Sequence, residues 1–196
     1  MKTQTKVAIA AALSLTALGS LTACTTATTP SAVVRHTTPK SIPAPAPSKP
    51  VGQALSNPEA AGGTINVLSD PGAGGGAFSV TVQPVVFNDS AEVAAANEFN
   101  AAPAPGDAFA KLTVTVKNTG TESIDAGVIG TQFTFLDAQG NQTTIDITDY
   151  VGTPLSANIN PLPAGASVTG TQLFELPVSD TTGTVVLDGS AFWRAN

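Results

Sequence analysis

In the stretch Lys111 to Asn118, KLTVTVKN, polar and apolar residues alternate from Lys111 to Lys117. Leu112, Val114 and Val116 fall on one side of an extended chain, with Lys111, Thr113, Thr115 and Lys117 on the other. Successive strand side chains point to opposite faces, so the stretch predicts a strand in a sheet with one dry and one wet side. Its Val and Thr residues also suit a pleated surface better than a helix. The same character recurs in both directions. Thr64 to Leu68, Phe78 to Phe87, Phe109 to Asn118, Thr131 to Asp137, Thr143 to Thr148, Ser167 to Leu176, Thr184 to Leu187 and Ala191 to Arg194 are short and rich in Thr, Val, Ile and Phe. Between them lie turn-forming runs: NTG from Asn118, DAQGN from Asp137, PLPAG from Pro161 and SDTTG from Ser179. Residues 63–196 therefore read as one all-β domain, an antiparallel sandwich or barrel. A single helical segment is expected, Asp89 to Glu98, where Asp89 and Glu92 have capping-box spacing.

The amino terminus has a different character. Lys2 and Lys6 precede an apolar run, Val7 to Leu18, which is followed by Leu21-Thr22-Ala23-Cys24. The run falls short of the roughly 20 apolar residues that a membrane helix requires, so residues 1–23 read as an export signal. Its last four residues resemble the bacterial lipobox. That resemblance implies diacylglyceryl transfer to the Cys24 thiol, cleavage after Ala23 and anchoring to the outer face of the cytoplasmic membrane. Cys24 is the only cysteine of the 196 residues, so no intramolecular disulfide is available and the domain depends on core burial. Residues 24–62 join anchor to domain. They are rich in Thr, Ser, Pro and Ala, as in KSIPAPAPSKPVG, and are expected to form a disordered tether spanning roughly 30 to 40 Å as a flexible coil.

Charge and residue inventory exclude several classes of function. Residues 63–196 carry Lys111, Lys117 and Arg194 against 13 carboxylates, a formal charge of −10. Such a surface repels nucleic acid and anionic head groups, so no nucleic-acid partner is expected. The only histidine, His36, lies in the tether, and the domain has neither imidazole nor thiol. Ser-His-Asp and Cys-His catalysis, and zinc or copper sites built on His or Cys, are thereby removed. The sequence also lacks S-x-x-K and G-x-S-x-G. PGAGGGA fits a dinucleotide fingerprint through Gly72, Gly74 and Ala77, but FSVTVQP follows it, a strand pattern where that motif needs a helix. No cofactor is expected, and the chain is not expected to be an enzyme.

The order KLTVTVKNTGTESI, QFTFLDAQGNQ, PLPAGASVTGTQLFELP resembles the immunoglobulin-like domain of unknown function found in secreted lipoproteins of actinobacteria and other Gram-positive bacteria. The shared signatures fall at Lys117 to Gly120, Asp137 to Gly140 and Pro163 to Pro177. The resemblance implies an immunoglobulin-like antiparallel β-sandwich, related in fold to a small immunogenic secreted protein of mycobacteria, and brings no catalytic residue with it.

Few residues remain as site candidates. Asp146 and Asp149, with Asp137, are oxygen ligands for a conceivable calcium site, although the spacing is not that of an EF-hand loop. Tyr150 is a loop aromatic and a candidate contact residue, whereas Trp193 is expected in the core. The resulting expectation is a membrane-anchored binding or adaptor module at the cell envelope whose partner is an envelope protein or wall polymer. The alternative is a lipoprotein that binds a small ligand or calcium for sensing or transport.

Overall fold

Alternation places the inward side chains of each strand, and pairing then decides which strands become neighbours. A computed structural model describes residues 49–68, 76–158 and 160–196. The expected export signal, Cys24, His36, Gly72 and Gly74 lie outside the described residues. The strands are β1 (Thr64–Val67), β2 (Phe78–Val82), β3 (Asp107–Asn118), β4 (Phe133–Leu136), β5 (Gln142–Thr144), β6 (Ser167–Pro177), β7 (Thr184–Leu187) and β8 (Ala191–Arg194). They form two four-stranded sheets, ordered β1-β2-β3-β6 and β5-β4-β7-β8. All strand pairs in both are antiparallel. β3 reaches past β4 and β5 to pair with β6, and β4 pairs with β7. This is the Greek-key connection of an immunoglobulin-type sandwich.

The inward faces meet as the alternation requires. Leu112, Val114 and Val116 of β3 are fully buried against Phe133, Phe135, Val185 and Leu187 of the other sheet in one core cluster. Trp193 completes it from β8, and its indole Nε1 donates to the Gly63 carbonyl at 3.1 Å. In antibody domains the core tryptophan stands on the third strand and packs on a disulfide. Here it sits on the last strand, with no disulfide to pack against.

The sequence motifs that carry the family resemblance prove to be turn chemistry. Asn118 is buried, donating through Nδ2 to the carbonyls of Glu122 (2.7 Å) and Leu162 (2.9 Å) and accepting from Gly120 N (2.9 Å). Gly165 turns the chain with φ +76° and donates to the Asn118 carbonyl. One amide thus fixes both the turn that leaves β3 and the turn that enters β6.

Several boundaries differ from the sequence reading, each for a local reason. The second strand ends at Val82 rather than Phe87, because Pro84 has no N–H and Val85 turns its N–H to the Ala195 carbonyl just past β8. The expected helix forms as α1 (Ser90–Ala96), but Asp89 makes no side-chain cap. Its carboxylate and that of Glu92 instead meet the Lys111 ammonium, with Asp89 Oδ2 at 3.0 Å. A second helix, α2 (Ala126–Thr131), was not expected. It is capped by Asp125, whose Oδ1 accepts from Val128 N at 3.0 Å, and it displaces the start of the fourth strand to Phe133. After β5 the chain leaves its sheet, and Asp146 N donates to Leu173 O on the β6 edge.

Ordered structure also begins ahead of residue 63, where the composition shift places the domain boundary. Phe192 N donates to Gly52 O, Glu59 N to Phe192 O and Arg194 N to Glu59 O, each at 2.8 Å. The segment covers the outer edge of β8, which would otherwise present unpaired backbone groups to water. Its low hydrophobicity hid this, since backbone pairing needs no apolar side chain.

Candidate interaction surface

Phe109 begins the construction. It stands on the outward face of β3, where the alternation puts polar residues, yet it is buried. α1 supplies Val93 above it, and Leu173 of β6 and Val151 complete a small cluster outside the main core. Two loops are drawn over this cluster, residues 97–101 after α1 and residues 146–151 after β5.

Hydrogen bonds lock the loops together. Asn100 donates through Nδ2 to Val93 O (2.7 Å) and Tyr150 O (2.9 Å), while its Oδ1 accepts from Tyr150 N (3.2 Å). Asp149, only 7% exposed, accepts from Ala101 N at 2.6 Å. The Thr171 hydroxyl on β6 donates to Val151 O. With both backbones held this way, Phe99, Ile147 and Tyr150 project outward, 84%, 76% and 43% exposed. Three large apolar side chains this open on adjoining loops make the region the candidate for an interaction surface.

The sequence-derived candidates divide accordingly. Tyr150 lies in this surface. Asp146 and Asp149 are neighbours there, joined by the Thr148 hydroxyl, 2.7 Å from Asp146 Oδ1 and 3.4 Å from Asp149 Oδ2. Asp146 Oδ1 also accepts from Thr148 N (2.7 Å) and Asp149 N (3.2 Å). Partial burial pushes the Asp146 carboxyl up, but the Thr148 and Asp149 donors together outweigh it and hold the group below the usual carboxylate range. Asp137 is elsewhere, in the β4–β5 turn, where it accepts from Asn141 Nδ2 (2.7 Å) and from the Asn141 and Gln139 amides (2.8 Å each). The Asn141 side chain, followed by these turn amides, keeps Asp137 below its ordinary range. Among the described residues no three His, Cys, Asp or Glu side chains converge as a metal cluster would require. Ala77 is followed directly by β2, so the glycine-rich run leads into a strand and not into a nucleotide-binding helix.

Phe99, Ile147 and Asn100 were missed by sequence reasoning. Phe99 did leave a signal: it is the one large apolar residue of NEFNAAPAPG, a stretch with no strand or helix period in which to bury it. Two concave regions also exist. One, of about 340 Å³, runs along the β1 edge between Ile65, Val67, Gln53 and Ala191. The other, of about 260 Å³, lies between α2 and the 3-10 turn Leu155–Ala157, with Asp125, Thr131, Ser156 and Asn158 in its wall.

No curated protein matches the chain. Among solved structures it is similar to a conserved hypothetical protein from Bacillus anthracis (14% identity, TM-score 0.48, covering 70% of this chain and 95% of that one). It is also similar to the secreted protein MPT63 from Mycobacterium tuberculosis (15%, 0.47, covering 70% and 97%). An uncharacterized beta-sandwich protein from Clostridium difficile is a third (11%, 0.41, covering 77% and 100%). Residues 73–196 match the family model described as "Domain of unknown function (DUF4352)", and the chain belongs to that family.

Proposed function

We propose that this chain is an exported, lipid-anchored recognition module that acts at the cell envelope by presenting a surface, without catalysing a reaction. The observation that supports it is the exposed trio Phe99, Ile147 and Tyr150, carried on loops whose backbones are already tied down. Rigid aromatic anchors give contact area at little entropic cost, which is what a recognition surface requires. The lipobox supports an anchor at Cys24, and the absence of imidazole and thiol from residues 63–196 supports a non-catalytic role. An anchor confines the module to a thin layer beside the membrane and so raises its effective concentration for membrane-bound partners.

The test is in-cell crosslinking of the full chain with a photoreactive residue at position 99, alongside Cys24→Ala. A defined envelope partner captured by the anchored form and lost in Cys24→Ala is expected. Capture at equal yield from a control position on the β4–β5 turn would overturn the assignment of the surface.

A further inference from the structure

We infer that the Phe99–Ile147–Tyr150 surface receives a cationic segment of a protein partner, and that an anionic wall polymer does not fit it. The inference rests on the recognition reading above and narrows it from "an envelope partner" to a charge class.

Carboxylates surround the patch. Glu98 precedes Phe99 and is exposed. Asp146 precedes Ile147 in the adjoining loop, Asp149 lies buried beneath that loop on Ala101 N, and Glu175 accepts from Ala104 N just beyond the first loop. Residues 63–196 hold three cations to set against them, and Lys49 stands at the start of the segment that pairs with β8 in the other sheet. Lys111 is already held by Asp89 and Glu92. Lys117 stands six positions further along β3, about 20 Å away at strand rise. Arg194 is on β8, in the other sheet. Two kinds of attraction therefore coincide on these loops, carboxylates that no side-chain cation neutralises among the described residues and exposed aromatic rings. A lysine or arginine satisfies both at once, through the carboxylates and through cation–π contact with Phe99 or Tyr150. A polyphosphate polymer would meet repulsion, screened only beyond about 8 Å at physiological salt.

Phe99→Ser combined with Tyr150→Ser preserves net charge while removing the rings, and this separates patch recognition from diffuse attraction to an acidic domain. Fluorescence anisotropy would follow the full chain in uncharged detergent against a labelled Lys-Gly-Leu repeat peptide, its Glu-Gly-Leu counterpart and purified lipoteichoic acid. The Lys peptide is expected to bind, to weaken about tenfold in the double variant, and to weaken again in Glu98→Gln and in added salt. The Glu peptide and the lipoteichoic acid are expected not to bind. Equal affinity of the Lys peptide for wild type and double variant would overturn the inference, as would its failure to bind or displacement by lipoteichoic acid. If it fails to bind while crosslinking from position 99 still captures a partner, the recognition reading stands and only the partner's charge is wrong.

Discussion

Trp193 ties the amino-terminal segment to the core by a single side chain. It is fully buried, and its indole N–H satisfies the Gly63 carbonyl just where the covering segment turns into β1. Trp193→Ala should cost about 3–5 kcal/mol of stability in urea titration. Trp193→Phe keeps most of the packing but strands a carbonyl, so about 1–3 kcal/mol is expected. Phe99→Ser is the counter-case: an 84% exposed ring contributes little to folding, so the urea midpoint should move negligibly while crosslinking from a photoreactive residue at position 147 is lost. Both residues are aromatic and both are conspicuous in the sequence. Trp193 was legible as core because AFWR continues a strand pattern, whereas the role of Phe99 depended on Asn100 and Asp149 meeting partners about 50 positions apart in the chain.

At the scale of elements, small residues set how closely segments approach. A Cβ on Gly170 of β6 would come within 2.7 Å of the Leu155 Cα, and one on Gly130 of α2 within 2.7 Å of Ser156 N. The 3-10 turn at Leu155 thus lies directly on a strand and a helix, with Gln172 Nε2 donating to Gly130 O beside it. Gly170→Ala should destabilise by about 1–3 kcal/mol through overpacking, measurable as a lowered Tm. α1 depends on a different device. Burial disfavours the Lys111 charge, but its bonds to Glu92 and Asp89 outweigh that and raise its pKa. Lys111→Met should leave the sandwich folded while hydrogen exchange at Val93 accelerates, because two carboxylates lose their counter-charge and α1 its anchor. β7 and β8 fell where the alternation put them, since both faces and both turns are local information. α2 did not, because AGVIGT is dominated by poor helix formers: the Asp125 cap is local, but the packing against Leu155 is made by the fold.

Across the whole molecule, acid and base should act at opposite ends of the pH scale. Asp137, Asp146 and Glu92 have folded-state pKa values below their ordinary ones, Glu92 through its bond from Lys111. Their stabilisation is present above about pH 4 and is lost as pH falls below it. Lys111 is shifted up, so its contribution holds below about pH 10 and is lost as pH rises through the folded value. With no histidine or cysteine in residues 63–196, Tm should be flat from about pH 5 to about pH 9 in calorimetry; a step near neutrality would contradict this. By itself the sequence determined the all-β class, most strand positions, the turns and the −10 charge, because side-chain alternation, turn residues and ionisation are properties of neighbours along the chain. The tertiary structure alone decided that residues 50–62 close an edge, that Phe109 is buried on the wet side of β3, and that Phe99 and Tyr150 share one surface. Those outcomes follow from backbone hydrogen bonds and loop closures between distant positions, and no local pattern encodes them.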